Sequence, residues 1–234
     1  SKSKVLLNNS LRVMKKEIHK MALYYILNNI NIPYLDLSKG KMGLSLFYFH
    51  YSMHTHNSIY EQFAYELLND IIEDINDEMP ISFSSGICGI GWGIEYLAHY
   101  GFLKENTDEI LNEMDLQVML YDSTRFTNYS LYDGLEGIIC YVLSRILSTR
   151  QVDSSHSFDF NYINNLYKAC KQIPKTEQEQ YIGIFINWFE QQQISYSFNT
   201  ILNQIYSIYL KEVNYKNNWQ KYLVRLANNQ LANL

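Results

Sequence analysis

Nine of the ten glycines in this chain of 234 residues fall into one recurring pattern, Gly-x-x-Gly followed by an apolar run. It reads Gly40-Lys41-Met42-Gly43-Leu44-Ser45-Leu46-Phe47, then Gly86-Ile87-Cys88-Gly89-Ile90-Gly91-Trp92-Gly93-Ile94, then Gly134-Leu135-Glu136-Gly137-Ile138-Ile139-Cys140. A worn fourth copy is Gly183-Ile184-Phe185-Ile186-Asn187-Trp188-Phe189. The first glycines are 46, 48 and 49 residues apart. A near-constant period of this size describes one supersecondary unit repeated, each copy burying its apolar face on the next.

The flanks of the glycines recur as well. Pro33, Pro80 and Pro174 lie seven, six and nine residues ahead of Gly40, Gly86 and Gly183. Short polar residues of the N-cap type, Ser38, Ser84, Ser85 and Asp133, sit just before three of the motifs,. Each Gly-x-x-Gly is therefore expected to open a helix, with an extended segment in front of it. The glycines let that helix start approach a neighbouring backbone or a ligand closely.

Between the motifs the pattern changes. From 58 to 74, Tyr60, Phe63, Ala64, Leu67, Leu68, Ile71 and Ile72 alternate at helical spacing with Glu61, Gln62, Glu66, Asp70 and Glu73,. Leu11, Met14, Ile18, Met21, Ala22 and Tyr25 do the same near the start, as do Phe198, Ile201, Leu202, Ile205, Ile208 and Tyr209 near the end. Trp219, Tyr222, Leu223, Leu226 and Leu231 suggest a last helix. A glycine helix, apolar all round, thus alternates with an amphipathic one that has a wet face. The expectation is an all-α chain of roughly ten helices, about five hairpins, without a sheet. It forms a single domain over 1–234, with inner helices lining a concave side. Residues 149–159, polar and aperiodic, are expected to be the longest loop,.

Composition removes several function classes. Hydrophobic residues make up 47% and charged residues 18%, which excludes intrinsic disorder,. No apolar run reaches the ~18 residues of a membrane span, and the N-terminal apolar run is too short for a signal peptide. The net charge of −5 argues against a broad nucleic-acid surface,. The basic residues of the first 20, Lys2, Lys4, Arg12, Lys15, Lys16 and Lys20, read as a solvated helix face,. Cys88, Cys140 and Cys170 are odd in number and match no short-spaced zinc motif,. They read as buried reduced thiols, which points to the cytoplasm.

Repeated Gly-x-x-Gly helices at this period resemble the lanthionine synthetase C-like (LanC-like) family, over about residues 33 to 190. Gly86 to Leu97 is the stretch most similar to it. The resemblance implies an α/α toroid, whose full form has seven hairpins with inner helices opened by this motif. It also implies zinc chemistry, in which a metal-activated Cys thiolate adds to a dehydrated Ser or Thr to form a thioether. With four recognisable copies, an incomplete or open ring is expected here, whose uncovered edge a second copy or a partner could close. The family's ligand segments, Trp-Cys-Tyr-Gly and Cys-His-Gly, are absent from this sequence, and so is its His-Gly. Lys39, Ser85, Asp133 and Ile182 precede the first glycines instead. The resemblance carries over the fold and no catalytic residue, so no cofactor is expected. Gly40, Gly43, Gly86, Gly89, Gly134, Gly137 and Gly183 are structural motif residues.

The candidate site residues come from position and chemistry. Asp133 and Glu136 form a carboxylate pair suited to acid–base catalysis, or else a capping box with Asp at N-cap and Glu at N3. Glu95, the single charge in an apolar run, either faces the concave side or pairs in the core,. Cys88, Trp92, Glu95, Asp133 and Glu136 together make a candidate peptide surface. His50 and His54 share a helix face at a spacing metals tolerate, but lack an evident third ligand,.

Two classes of function remain open. One is a non-catalytic binding or accessory component of lanthipeptide-type modification, whose partner is a peptide or protein. The other is an α/α-toroid enzyme, either a lanthionine-type cyclase or a six-hairpin-glycosidase-like carbohydrate hydrolase using Asp133 and Glu136.

Overall fold

The computed structural model describes residues 2–28, 32–148, 157–211 and 218–229. Among them are eleven α-helices and no strand. In chain order these are α1 (Lys2–Leu27), α2 (Lys41–Thr55), α3 (Ser58–Asp74), α4 (Ile87–His99), α5 (Thr107–Met119), α6 (Leu135–Ser148), α7 (Phe160–Gln172), α8 (Gln180–Gln191), α9 (Phe198–Ile205), α10 (Ser207–Leu210) and α11 (Trp219–Ala227). None is long and apolar enough to cross a membrane. The all-α class is as the sequence predicts; α2, α4 and α6 each begin directly after the first glycine of their motif, whereas α8 begins at Gln180, ahead of Gly183. The helix expected near Phe198 is divided at Tyr206 into α9 and α10. Most of the expected 149–159 loop, Leu231 and the side chains of Lys2 and Lys4 lie outside the described residues. Arg12, Lys15, Lys16 and Lys20 are exposed, in keeping with a solvated face.

The chain divides into two compact units. The first comprises Ser1–Tyr34, Gly40–Glu73 and Asn199–Leu234. Its core helix is α2, apolar on every side and buried from Met42 to Ser52. The Tyr48 hydroxyl donates to the Ala22 carbonyl of α1 at 2.7 Å, and Ser45 Oγ donates to the Ala64 carbonyl of α3 at 3.1 Å. The last helix, α11, lies along α2 and buries Trp219, Tyr222 and Leu223.

The second unit comprises Leu35–Lys39 and Asp74–Phe198. Here the glycine helices pack side by side, α4 on α6 and α6 on α8, while α5 backs α4 and α7 backs α8. Gly91 leaves the space that the Tyr141 ring of α6 occupies. Burying α4 and α6 almost completely leaves their few polar groups dependent on partners from the neighbouring helices,.

Candidate functional site

The first turns of α2, α4 and α6 are each held by the segment that leads into the helix. The backbone N–H groups of Lys41, Ile87 and Leu135 donate to the carbonyls of Tyr34, Pro80 and Asn128, at 2.8, 2.9 and 3.0 Å. Each acceptor lies seven residues upstream, so one loop geometry serves all three copies. The Pro80 carbonyl that satisfies Ile87 also presses on Gly86, where a Cβ would overlap it. The Phe83 carbonyl presses in the same way on Gly89, and Asn128 and Leu131 repeat both contacts at Gly134 and Gly137. The motif is thus explained by close backbone approach: the loop carbonyls take the amides that a helix start leaves unpaired. Gly40 and Gly86 accordingly occupy cap positions with no side-chain cap. Gly183 differs from the other motif glycines. It lies inside α8, exposed, where an added Cβ would meet nothing within 4 Å.

Within the second unit these loops are laced into one rim. Ser38 N donates to Ser84 O at 3.2 Å, and Phe83 N and Ser84 N both donate to Tyr132 O, at 3.1 and 2.9 Å. Ser84 Oγ donates to Asp133 Oδ1 at 2.8 Å. Asp36, itself buried, accepts from Ser38 Oγ and Lys39 N at 3.0 and 2.8 Å. Lys39, Ser85 and Asp133 are exposed on this rim.

Asp133 and Glu136 do not form the expected capping box. α6 begins at Leu135, so Gly134 takes the cap place and Glu136 is the second helical residue. Loop carbonyls already hold the N–H groups of Leu135 and Glu136, which frees both carboxylates for neighbouring repeats. Asp133 reaches back to Ser84, and Glu136 Oε1 reaches forward to Tyr181 N of α8 at 2.8 Å. Glu136 is 5% exposed. Burial pushes its carboxyl up to about 7, against the opposing effect of the Tyr181 amide.

The other candidates are enclosed. Glu95 is 1% exposed and its Oε1 accepts from Arg145 Nη1 at 2.5 Å and from Ser148 Oγ at 3.0 Å. Arg145 also grips Asp115 through Nε and Nη2, at 3.0 and 2.7 Å from Oδ2, and reaches Asp108 at 2.9 Å. The Tyr141 hydroxyl donates to Asp115 at 2.6 Å. Burial raises the pKa of both Glu95 and Asp115, and the guanidinium opposes it. Trp92 Nε1 donates to the Tyr196 hydroxyl at 2.7 Å, and that hydroxyl donates to the Cys140 carbonyl at 2.7 Å. Cys88 has no exposed surface. Of the five residues offered as a peptide surface, only Asp133 is exposed, and it lies on the rim.

Sequence reasoning missed Arg145, Asp115 and Tyr196. Two of these left a signal. Arg145 is the lone charge in the run 138–147, and Asp115 occupies a place in the buried stripe Leu111, Met114, Asp115, Val118.

The zinc that the resemblance implies needs thiolate and imidazole donors around a reachable point. The donor set here does not fit it. All three cysteines are buried, and burial pushes Cys88 and Cys140 well up and Cys170 up to about 12, so each is a neutral thiol,. Among the described residues no three His, Cys, Asp or Glu side chains are grouped to hold a metal ion. His50 is buried, and His54 lies four residues on towards the end of α2.

No curated protein matches the chain. A family model described as lanthionine synthetase C-like protein matches residues 33–229, which takes in all four glycine motifs and the whole of α11. This chain therefore belongs to the lanthionine synthetase C-like family.

Proposed function

We propose that this protein is a non-catalytic member of its family, a cytoplasmic binding or accessory component of lanthipeptide-type peptide modification. The observation that carries the reading is the state of the thiols: three neutral, buried cysteines with no grouped metal donors among the described residues. A thioether-forming site of this kind would need thiolate or imidazole ligands to hold a metal that activates the peptide's thiol as the attacking thiolate. The rim of the second unit, with exposed Lys39, Ser85 and Asp133, is the surface offered to a peptide or partner protein. The reading treats the chain as one functional domain without nucleic-acid partners.

The test uses a dehydroalanine- and cysteine-containing peptide with added zinc. Cyclisation does not change mass, so free thiol is counted by N-ethylmaleimide adducts in the mass spectrum. Binding of the same peptide is followed by fluorescence anisotropy. Saturable binding with no loss of free thiol supports the proposal, and protein-dependent thiol loss overturns it.

One observation favours a second reading. A carboxyl held at about 7 suits a general acid, and Glu136 is such a group,. With Asp133 as the second carboxylate, the rim would act as a carbohydrate hydrolase. Hydrolysis of aryl glycosides that disappears in Glu136→Gln would support it. Against it stand the partners of the two carboxylates, which belong to different repeats.

A further inference from the structure

A cavity of about 630 Å³ opens in the first unit at the C-terminal end of α2, a size typical of small-molecule sites,. Its walls come from α1, α2 and α11 of the same compact unit. Four of the six histidines of the chain line it: His19, His50, His54 and His56. Lys15 adds an ammonium group to the lining. No carboxylate is among the described lining residues, although the whole chain carries a net charge of −5. Ile18, Met53 and Leu226 supply apolar wall.

The charges repel one another. Burial, then the charges of Lys15 and His56, lower the pKa of His54. His50 lies deeper, where burial alone lowers it to about 4, so its ring is neutral. The His19 Nδ1 atom lies 3.4 Å from each of the Tyr51 and Tyr60 hydroxyls, which fixes that ring at the wall. The negative end of α2 is largely spent on the chain itself. The Ser52 carbonyl accepts the His56 and Asn57 amides, and the Tyr51 carbonyl accepts Thr55 Oγ1 at 2.8 Å,.

We propose that this cavity binds a small organic anion, its carboxylate or phosphate held by Lys15, His54 and His56 and its apolar part lying against Ile18, Met53 and Leu226. The ligand supplies the negative charge that the lining lacks, and charge-assisted hydrogen bonds from ammonium and imidazole are the strong kind. A divalent metal is a poorer fit, because no three donors are grouped for it among the described residues. The inference is independent of the peptide-binding reading, which concerns the other unit.

The test is an NMR titration of the full chain, following the histidine ring protons, with phenyl phosphate, benzoate and phenol as probes. Saturable shifts of His54 and His56 with either anion, and none with phenol, are expected. The stronger anion tells phosphate from carboxylate. Lys15→Ala and His54→Ala, both at exposed or half-exposed positions, should each weaken binding by about tenfold with an unchanged melting temperature,. The proposal is overturned by absent or non-saturating shifts, by equal binding of phenol, or by full affinity in both variants.

Discussion

The carboxylate of Glu136, in the first turn of α6, accepts the backbone N–H of Tyr181 in the first turn of α8, so one repeat caps the helix of the next. Glu179, the cap residue of α8, makes no side-chain cap of its own, which leaves this place to Glu136. Glu136→Ala strands the Tyr181 amide and is expected to cost about 1–2 kcal/mol, measured by urea denaturation.

The same carboxyl makes stability depend on pH. Its value rises from 4.5 in the unfolded chain to about 7 in the fold, so the fold favours the neutral form. That contribution is fully present below about pH 4.5 and is lost as pH rises through about 7,. Glu136→Gln removes the ionisation and keeps an acceptor for Tyr181. Relative to the wild type, its melting temperature should therefore be higher at pH 8 than at pH 5. An equal difference at both pH values would contradict the assignment.

Arg145 carries the polar interior of the second unit, touching Glu95, Asp115 and Asp108 from α4 and α5. Arg145→Met keeps much of the stem and removes the charge, leaving two buried carboxylates without their cation. The expected loss is about 3–5 kcal/mol. Both carboxyls then gain protons more readily, so the loss should be smaller at pH 5 than at pH 8. Chemical denaturation at the two pH values reads both effects.

The motif glycines separate by the space around them. Gly86→Ala places a methyl against the Pro80 carbonyl and should destabilise by about 2 kcal/mol or more,. Gly183→Ala meets nothing and lies at an exposed position of α8, so it should stabilise by about 0.5–1 kcal/mol,. Paired thermal melts decide between packing and a ligand-binding reason for Gly86.

Cys88, Cys140 and Cys170 should resist a disulfide reagent in the native protein and all react on unfolding,. A rapidly labelled native thiol would reopen the cyclase reading.

The helices were legible because their signals are local. A buried stripe repeats every 3.6 residues wherever the helix lies, so α3 appears in the sequence with the bounds it has in the structure, 58–74. The glycine starts of α2, α4 and α6 were equally legible, because the loop folds back on its own helix over six or seven residues, a contact that Gly183 inside α8 lacks. The partners of the site residues were not. Glu95 meets Arg145 across 50 residues, and Glu136 meets Tyr181 across 45.

The sequence by itself determined an all-α chain of repeated hairpins and the enclosure of α2, α4 and α6. Only the tertiary structure decided that Glu95 is held by a shared guanidinium, that Glu136 caps the following helix, and that four histidines meet around a cavity at the foot of α2. Periodicity states which face of a helix is buried and not what it is buried against. That second fact depends on how separate helices dock, which no local spacing encodes.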